Sequence, residues 1–388
     1  MKKKIAILGS TGSIGKTTFN IIKQNKKHFN VILLTTNQNI NEIIKQTKQV
    51  KVKNIIVTNK KKYLKLKDKF KKSNIKIFNN FDDLNKIIKK KLDYTMSAIS
   101  GLDGLKPTIS IIKSTKNIAI ANKESIICGW NLIDNELKKN KTKFIPVDSE
   151  HFSIWSNINK INKNLINQVI LTASGGPFLK KNNKFLKKAT IKSALKHPNW
   201  KMGKKISIDS ATLMNKVFEF IEAMRIFNLD KDKLSILVHP KSYVHSIIKF
   251  NNGLINITAH DTNMKIPIFN SIYFPNFKRI FTKNIDYKVL NNLSLSKPSY
   301  KKFPSLKLIN FIGNKTSLYE TILISANDCL VDLFIKKKIK FTEIISNLNK
   351  ILNIKEFKAY KYKKPSNGQQ ILNLSEHVRL KTIKLCIK

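Results

Sequence analysis

The stretch KKIAILGSTGSIGKTTF, residues 3–19, places a four-residue apolar run, Ile5 to Leu8, directly before glycines at positions 9, 12 and 15. A short continuous apolar run is typical of a parallel strand that is buried on both faces. A glycine turn between such a strand and a helix presents backbone N–H groups and a helix N-terminus, which favour the negative charge of a pyrophosphate. We therefore predict a βαβ unit that binds a nucleotide, with a plain tight turn as the alternative.

Further strand signals alternate with helical stretches over the first 150 residues. A helix is predicted from Thr17 to Lys23, directly after the glycines. Alternating strands and helices predict an α/β fold, with a Rossmann-like, doubly wound parallel sheet over residues 1–150. Its later strands are predicted at Val31 to Thr35, Asn54 to Val57, Tyr94 to Ile99 and Ile118 to Ala121.

Residues 151–262 combine strand signals with one strongly amphipathic helix, which is predicted from about Ser210 to Phe227. This mixture predicts an α+β domain. Its strands are predicted at Val169 to Thr172, Leu234 to Val238 and Leu254 to Thr258.

The last third of the chain predicts two further parts. Residues 263–299 contain prolines and weak periodicity, which indicates a connecting arm. After Pro304 the pattern is that of helices separated by polar turns, so residues 300–388 predict a C-terminal helical domain.

The composition of the 388 residues is that of a folded protein. Hydrophobic residues make up 41%, which excludes wholesale disorder. Apolar runs fall short of the ~20 residues of a membrane span, so we expect no membrane partner. The run after Met1-Lys2-Lys3-Lys4 ends at Gly9, which is too short for the core of a signal peptide. We expect two or three globular domains.

The formal net charge of +50 raises the alternative of a nucleic-acid-binding protein. Only Arg225, Arg279 and Arg379 among the 74 basic residues are arginines, whereas nucleic-acid surfaces favour the planar arginine fork. Lysine runs such as Lys60-Lys61-Lys62, mixed with Asn and Ile, are what an AT-rich genome supplies. We therefore expect no specific nucleic-acid partner, although the charge helps to attract an anionic substrate.

The three cysteines, Cys128, Cys329 and Cys386, are widely spaced and odd in number. They predict neither a disulfide framework nor a zinc site, and they fit a reducing, cytoplasmic location. A second alternative is another NAD(P) oxidoreductase, such as a semialdehyde dehydrogenase, which needs a nucleophilic cysteine in an electropositive setting. Cys128 is the candidate near the motifs, and its apolar neighbours argue against that role.

The end of the second predicted strand indicates which dinucleotide binds. NAD enzymes usually place an acidic residue there to hold the ribose hydroxyls. This chain has Thr35-Thr36-Asn37-Gln38-Asn39, and the next acid is Glu42. The absence of the acid favours NADP, and the absence of a basic residue in the same stretch makes that preference modest.

Two carboxylates occur in the segment Pro146-Val147-Asp148-Ser149-Glu150-His151, after the apolar pair Phe144-Ile145. In an extended segment, residues two apart project to the same side, so we predict that Asp148 and Glu150 lie close together. Such a pair is costly unless a cation or a proton is shared, and hard oxygen ligands suit Mg²⁺ or Mn²⁺. A solvated acidic turn is the alternative. A hydrolase site at Ser149 and His151 is disfavoured, because sequence neighbours rarely form a triad.

A third carboxylate lies in the amphipathic helix. Asn215, Lys216, Glu219 and Glu222 share one face of that helix. Asn215 and Lys216 are suited to hold an anion while Glu219 binds the metal. The alternative is an ordinary ion pair on the protein surface.

Two irregular segments complete the candidates. The turn Ser174-Gly175-Gly176-Pro177 follows a predicted strand and offers a hydroxyl and backbone amides to a phosphate. The segment His197-Pro198-Asn199-Trp200-Lys201-Met202-Gly203 combines an aromatic residue with a flexible glycine, as a lid that closes over a substrate requires. The alternative for Trp200 is core packing. We predict a mobile lid at about residues 174–204.

The motifs of this chain, taken in their order along the sequence, resemble those of the 1-deoxy-D-xylulose 5-phosphate reductoisomerase family. The resemblance is densest between residues 121 and 223 and extends to HPKSYVHS at 239–246 and SAND at 325–328. The other motifs are GSTGSIG at 9–15, ANKES at 121–125, PVDSEH at 146–151, SGGPF at 174–178, HPNWKMGKKISIDSATLMNK at 197–216 and FEFIEA at 218–223.

The resemblance implies a role for each candidate residue. It makes Asp148, Glu150 and Glu219 the metal ligands and, together with Lys123 and His197, the catalytic residues. The residues that it implies for the substrate and its phosphate are Lys123, Ser149, Glu150, Ser174, His197, Trp200, Met202, Ser210, Asn215, Lys216 and Glu219, with Trp200 and Met202 on the lid. Those that it implies for NADPH are Thr11, Gly12, Ser13, Ile14, Asn37, Gln38, Asn39, Asn122, Glu124 and Gly203.

The resemblance also implies an activity. It implies the rearrangement and NADPH-dependent reduction of 1-deoxy-D-xylulose 5-phosphate to 2-C-methyl-D-erythritol 4-phosphate, on the methylerythritol phosphate route to isoprenoid precursors, with Mg²⁺, Mn²⁺ or Co²⁺. It implies a homodimer and a catalytic, metal-binding domain at residues 151–262. Where the family usually has Gly-Lys-Asn, this chain has Asn37-Gln38-Asn39, which predicts a weaker preference for NADPH over NADH.

Overall fold

The computed structural model describes residues 1–159 and 161–387, which divide into two compact units. The first unit comprises residues 1–125, 132–152 and 264–281. The second comprises residues 126–131 and 153–263 and the described part of 282–388. The domain boundaries at 150, 262 and 299 stay predictions.

The described part of the first unit contains a parallel sheet, as the sequence predicts, and this sheet has seven strands. The order of its strands across the sheet is β4-β3-β2-β1-β5-β6-β7, so that the direction of winding reverses between β1 and β5. Ligands of such sheets bind beyond the carboxyl ends of the strands at this reversal. The strands are β1 (Lys3–Leu8), β2 (Phe29–Thr36), β3 (Val52–Val57), β4 (Lys76–Phe78), β5 (Tyr94–Ser97), β6 (Asn117–Ile120) and β7 (Lys143–Pro146).

Helices connect these strands, because parallel neighbours need a crossover connection. The strand interiors form the core, in which Ile5, Ile7 and Leu34 are fully buried. The connecting helices are α1 (Ser13–Gln24), α2 (Ile40–Gln49), α3 (Lys60–Lys69), α4 (Leu84–Ile87), α5 (Leu105–Ile112) and α6 (Lys123–Lys139), with 3₁₀ turns at Lys26–His28 and Leu102–Gly104. Helix α7 (Ser149–Ile158) follows β7 and continues into the second unit, which also includes residues 126–131 of α6.

A helix from the predicted connecting arm belongs to the first unit. It spans Lys265–Tyr273, and its Ile268 and Ile272 are buried in the core of the parallel sheet. The two isoleucines are four residues apart and therefore share one face of the helix. Tyr94, on β5, forms a buried hydrogen bond of 2.7 Å with Ser271 of the same helix.

The glycine turn between β1 and α1 depends on close backbone approach. Gly9 has a φ of +76°, and a Cβ atom at this position would lie 2.6 Å from the carbonyl oxygen of Ala98. A Cβ on Gly15 would strike the carbonyl oxygen of Gly9. Gly12 is the N-cap of α1, and no described side chain caps this helix. The first backbone N–H groups of α1 are therefore available to an anion such as a pyrophosphate.

The second unit has, over its described residues, a mixed four-stranded sheet with the order β11-β10-β8-β9. Strands β8 and β9 pair in parallel, and β10 is antiparallel to β8 and β11. The strands are β8 (Ile166–Ala173), β9 (Leu234–Val238), β10 (Val244–Phe250) and β11 (Ile255–Ala259).

The C-terminal part of the second unit is helical, as predicted, and α14 packs against α15 and α17. Nowhere in residues 1–159 and 161–387 is a helix both long enough and apolar enough to pass through a membrane. The helix Lys265–Tyr273 of the first unit is numbered α12. The other helices of the second unit are α8 (Asn183–Lys187), α9 (Ile191–Ala194), α10 (Lys204–Ala211), α11 (Met214–Phe227), α13 (Tyr287–Leu290), α14 (Tyr319–Ile335), α15 (Phe341–Leu352), α16 (Lys355–Lys358) and α17 (Gly368–Cys386), with 3₁₀ turns at Lys163–Leu165, Lys231–Lys233, Pro304–Phe311 and Ala359–Tyr362.

The prediction of one continuous helix from Ser210 to Phe227 is wrong. Helix α10 ends at Ala211, and α11 begins at Met214 after Leu213, which has a φ of +58°. The Thr212 hydroxyl donates to the backbone carbonyls of α10 and accepts a hydrogen bond of 3.3 Å from the Met214 N–H. These local bonds compete with helix continuation, and apolar spacing does not reveal them.

We predict that Gly9→Ala destabilises the chain strongly, because the added Cβ combines a left-handed φ with a collision against the Ala98 carbonyl. The free energy of unfolding should fall by about 2 kcal/mol or more, as strained backbone positions cost. Equilibrium urea unfolding, followed by far-UV circular dichroism, measures the change.

Gly101→Ala is the matched control, because Gly101 has a similar φ of +72° but open space where its Cβ would lie. If Gly9→Ala lowers the free energy of unfolding no more than Gly101→Ala does, the close approach of Gly9 to the Ala98 carbonyl does not contribute to the destabilisation.

Candidate active site

The acidic segment begins where β7 ends. Strand β7 stops at Pro146, and α7 starts at Ser149, so that Glu150 lies in the first turn of a helix. The prediction that Asp148 and Glu150 lie close together is confirmed, because a carboxylate oxygen of each lies within 4.8 Å of the other, but the predicted extended segment is wrong. The physical reason is that the first turn of a helix favours acidic side chains, and the segment Asp148-Ser149-Glu150 satisfies this preference.

The Asp148 carboxylate lies between a lysine ammonium and a histidine ring of the first unit. Its carboxylate oxygens lie 3.3 Å from Nζ of Lys123 and 3.6 Å from Nδ1 of His151. Burial by itself raises the pKa of the Asp148 carboxyl, but the Lys123 ammonium and the His151 ring hold this pKa well below its usual range. Asp148 is therefore ionised at neutral pH, which is the form that binds a divalent cation.

Asn122 and Lys123 follow β6, Asp148 follows β7 and the glycine turn follows β1, so all of them lie at the same edge of the parallel sheet. Lys123 is the first residue of α6, and the Asn122 side chain caps this helix by accepting from the Ser125 N–H at 2.7 Å. The Asn122 amide also donates to the carbonyl of Gly101 at 2.6 Å. These bonds fix the start of α6 beyond β6, where Glu124 is buried.

Ser149 and Glu150 are also in contact. The Ser149 hydroxyl donates to the Glu150 carboxylate at 2.5 Å. Within the first unit the structure thus brings together Lys123, Asp148, Ser149 and Glu150, all of which the sequence predicts as site residues. His151, which lies beside Asp148, was predicted only as part of a disfavoured hydrolase site.

The second unit contains the other predicted acid. Asn215, Lys216 and Glu219 lie on one face of α11, and both Asn215 Nδ2 and Lys216 Nζ contact the Glu219 carboxylate. Lys216 and Glu219 are only 4% and 2% exposed, which excludes the alternative of an ordinary surface ion pair. Glu222 is buried on the same helix.

The Ser-Gly-Gly turn packs against the break between α10 and α11. Gly176 has a φ of +67°, and a Cβ there would strike the carbonyl oxygen of Ser210. Glycine at 176 therefore allows the turn to approach the backbone of Ser210, a predicted phosphate-binding residue. The Ser174 hydroxyl accepts a hydrogen bond of 3.1 Å from the Gly176 N–H.

The hydrogen bonds of His197 define its tautomer. Nδ1 accepts from the backbone N–H groups of Asn199 at 3.2 Å and Trp200 at 2.9 Å, so it carries no proton. The neutral ring is then protonated on Nε2, which donates to the Ser174 hydroxyl at 3.0 Å. Burial lowers the pKa of His197 from 6.5 to about 4. The Ser174 hydroxyl keeps its own proton and can donate it to an anion.

The predicted lid residues extend from His197 towards α10. The Trp200 ring lies edge-on to the ring of His245, with 6.3 Å between the ring centroids. Met202 is partly exposed, and Gly203 is the N-cap of α10 with open space where a Cβ would lie. The mobility of this segment stays a prediction.

Seven of the residues predicted to contact NADPH fall on two loops of the first unit, whereas Asn122 and Glu124 lie at the start of α6 and Gly203 lies in the second unit. Thr11, Gly12, Ser13 and Ile14 form the glycine turn, in which the Thr11 hydroxyl lies 2.8 Å from that of Thr36. Asn37, Gln38 and Asn39 follow β2. The N-terminus of α1, which no described side chain caps, fits a pyrophosphate.

Sequence analysis missed two partners of the predicted residues. His151 lies against Asp148, and Asn327 of α14 donates to the buried carboxylate of Asp209 at 2.8 Å, next to Ser210. Asn327 lies in the quoted SAND motif and Asp209 in the long motif at 197–216, so two polar residues in otherwise apolar helices are the signal that could have identified them.

A glycine turn at the reversal of a parallel sheet, with an ionised carboxylate beyond β7 of the same sheet, defines the class: a dinucleotide-dependent enzyme. Family models agree with this class. The model described as 1-deoxy-D-xylulose 5-phosphate reductoisomerase matches residues 5–129. Two models of the C-terminal domains of this reductoisomerase match residues 144–227 and 261–381.

Curated relatives match nearly the whole chain. The 1-deoxy-D-xylulose 5-phosphate reductoisomerase of Pelagibacter ubique is 57% identical over 381 residues, which cover 98% of each chain. The reductoisomerase of Clostridium kluyveri is 38% identical over 90% of this chain and 92% of its own. The chain belongs to the 1-deoxy-D-xylulose 5-phosphate reductoisomerase family.

Solved structures support the same family and confirm the predicted fold class. The reductoisomerase from Zymomonas mobilis in complex with NADPH matches with a TM-score of 0.89 and 31% identity, over 100% of both chains. A DOX-P reductoisomerase in complex with NADPH, fosmidomycin and magnesium matches with a TM-score of 0.89 and 30% identity, over 98% of both chains.

We predict that the His197 ring is neutral and protonated on Nε2 between pH 6 and 8. Because burial lowers its folded-state pKa to about 4, its contribution to stability is present above pH 6.5 and is lost as the pH falls towards 4. The ¹⁵N chemical shifts of the labelled full chain, titrated with pH and assigned with His197→Gln, report both properties.

The exposed His28 provides the comparison within the same spectra. A proton found on Nδ1 of His197, or a titration midpoint near the 6.5 of an unperturbed ring, would contradict the assignment.

Proposed function

We propose that this chain catalyses the rearrangement and reduction of 1-deoxy-D-xylulose 5-phosphate to 2-C-methyl-D-erythritol 4-phosphate, with NADPH and a divalent metal ion. The observation that carries the proposal is the 57% identity to a reductoisomerase over 98% of the chain. The dinucleotide turn, the ionised Asp148 and the Ser174–His197 pair support it. This reaction belongs to the synthesis of isoprenoid precursors.

Asp148, Glu150 and Glu219 are the residues that would hold the metal ion. All three offer hard oxygen ligands, and the local pairing of Asp148 with Lys123 and of Glu219 with Lys216 indicates that positive charge is favoured at both carboxylates. The same ligand chemistry suits Mg²⁺ and Mn²⁺ and also accepts Co²⁺. When bound, the metal acts as a Lewis acid on the ketone and hydroxyl oxygens of the substrate, and NADPH supplies the hydride.

The chain's own residues orient the substrate and its charge. The Ser174 hydroxyl, which receives hydrogen bonds from His197 and Gly176, directs its proton towards the substrate phosphate. Ser210, Asn215 and Lys216, at the break between α10 and α11, add a hydroxyl, an amide and a cation to this phosphate site. His197 acts here as a neutral donor, because its pKa is lowered by burial.

Lys123 and Ser149 have supporting roles at the acidic segment. The Lys123 ammonium keeps Asp148 ionised and is placed to contact the oxygens of the substrate. Ser149 donates to Glu150 and thereby fixes the orientation of that carboxylate. Trp200 and Met202 are the lid residues that would exclude water from the closed site.

We also propose that the chain is a homodimer and that it works in the reducing cytoplasm. Support for the dimer comes from the edge strand β11, where Ile255 and Ile257 are 58% and 49% exposed, and from Leu254 directly before it, which is 63% exposed. Such an apolar edge is a liability unless another chain covers it. Support for the reducing location comes from the free thiols of Cys128, Cys329 and Cys386.

We predict that Glu219→Gln lowers kcat by about two orders of magnitude or more, because a lost charge at the metal costs several kcal/mol of transition-state stabilisation. The measurement is NADPH oxidation with 1-deoxy-D-xylulose 5-phosphate at saturating Mg²⁺, together with Mn²⁺ affinity from electron paramagnetic resonance. Mn²⁺ binding should weaken in parallel.

Glu376→Gln, an exposed change on α17, is the control. Unchanged turnover and Mn²⁺ affinity for Glu219→Gln, with a native circular dichroism spectrum, would exclude Glu219 as a ligand.

We predict that Ile257→Lys reduces or abolishes dimer formation, because it places a charge in the apolar edge strand. Sedimentation velocity at several protein concentrations measures the mass. Leu380→Lys, a change of another exposed apolar residue on α17, should leave the mass unaltered. A chain that is monomeric before any substitution would remove the dimer proposal itself.

A further inference from the structure

We propose that Lys60 and Lys61, at the start of α3, provide the positive charge that binds the 2′-phosphate of NADPH. This inference rests on the proposed use of NADPH and adds to it the residues that distinguish NADPH from NADH. The structural basis is the contact between the loop after β2 and the loop after β3, both in the first unit.

The loop after β2 has no charge of its own to offer. Asn37, Gln38 and Asn39 are neutral, and two of their side chains already make hydrogen bonds. Asn37 Nδ2 donates to the Thr58 hydroxyl at 3.0 Å, and Asn39 Oδ1 caps α2 by accepting from the Glu42 N–H at 3.1 Å. Gln38 can form a hydrogen bond but cannot balance a dianion, and dinucleotide sites that select the 2′-phosphate use a nearby cation.

The loop after β3 is joined to that loop by backbone hydrogen bonds. Thr36 and Val57 are paired across β2 and β3. Beyond this pair, the Thr58 N–H donates to the Thr36 carbonyl at 3.1 Å, and the Asn59 N–H donates to the Asn37 carbonyl at 3.4 Å. Neighbouring strands lie only about 4.8 Å apart, so the residues that follow β3 are within reach of a ligand held at the end of β2.

Lys60 and Lys61 are the next residues of the chain. Both are exposed, and neither forms an ion pair with any residue in the described ranges. The Lys62 N–H is bound by the Asn59 side chain at 3.1 Å, which fixes the first turn of α3. A lysine ammonium on a flexible four-carbon stem can adjust to a phosphate from this position.

The neighbouring acid does not cancel this charge. Glu42, in the first turn of α2, has its carboxylate 3.7 Å from the Lys16 ammonium of α1. That pair balances its own charge, and the lysines of α3 add a net positive potential beside the neutral loop.

Lysines are so common in this chain that the presence of two neighbouring lysines does not by itself indicate a phosphate site. The inference depends on position, and α3 itself offers the comparison. Lys65 and Lys69 are exposed on the same helix but lie one to two turns further along it. If only bulk charge mattered, removing either pair would have the same effect on cofactor binding.

The experiment measures the Kd of NADPH and of NADH by isothermal titration calorimetry on the full chain, at low and at high ionic strength. The variants are Lys60→Gln/Lys61→Gln and the matched control Lys65→Gln/Lys69→Gln. We expect the first pair to weaken NADPH binding by about tenfold or more and NADH binding by about twofold or less. The control should change neither Kd by more than about twofold, and its preference for NADPH should equal that of the unmodified chain.

A third variant adds Gln38→Lys to Lys60→Gln/Lys61→Gln and should restore NADPH binding, because it returns a cation to the same phosphate. Equal weakening of NADPH and NADH, an equal effect of the control pair, or unchanged NADPH binding would overturn the proposal. Failure of the unmodified chain to bind NADPH would instead remove the proposed cofactor, so the two failures are distinguishable.

Discussion

A charged side chain that is removed from water needs a partner of opposite charge. In each unit a lysine is the partner of a carboxylate that is proposed to bind the metal ion. Glu219 is paired with Lys216, and these side chains are 3% and 5% exposed. Asp148 is paired with Lys123, and these side chains are half-buried, at 24% and 12% exposed. Such pairs differ from Lys138–Asp134 on the surface of α6, where water screens the interaction.

A buried pair constrains what can be changed. Removal of Lys123 or Lys216 would leave a carboxylate without its local counter-charge, so the cost in stability and the cost in activity arise at the same atoms. The pairing also holds each carboxylate in its ionised form before any ligand arrives, as the low pKa of Asp148 illustrates. Preorganisation of this kind requires rigid support, which β7 and α6 supply to Asp148 and α11 supplies to Glu219.

The parallel sheet was predictable because its strands are continuous apolar runs. Ile5 to Leu8 lies inside β1, and Val31 to Thr35 lies inside β2, with differences of one or two residues at the ends. Periodicity did not reveal β10, whose apolar residues are interrupted by His245 and Ser246. It also failed at Thr212, where a side-chain hydroxyl ends α10, and at Ser149, where a helix begins directly after a strand. At Thr212 side-chain hydrogen bonds decide the backbone, and at Ser149 the first turn of a helix favours the acidic residue beside it. An apolar pattern reveals neither effect.

The sequence predicts the candidate residues of the site, and these stay predictions, whereas the contacts between them could not be predicted. Carboxylates, a Ser-Gly-Gly turn and a histidine are chemically distinctive, so their identity suggested their roles. Their contacts depend on tertiary structure: Asp209 and Asn327 are 118 residues apart, and the tautomer of His197 follows from two backbone N–H groups. Only coordinates can supply such pairings.

The lysines of this chain lie outside the hydrophobic core and are frequent beside the loop that is expected to meet the cofactor. Core positions such as Ile5, Ile55 and Phe19 are apolar, because a lysine there would have to lose its hydration without a partner. On the exposed surface no such penalty applies, so α3 can carry many lysines, and the loop after β2 is neutral. Since the sheet fixes the distance between the carboxyl ends of neighbouring strands, a cation on either loop is available to the same phosphate. A specificity determinant can therefore pass from one loop to the next without any change in the fold that positions it.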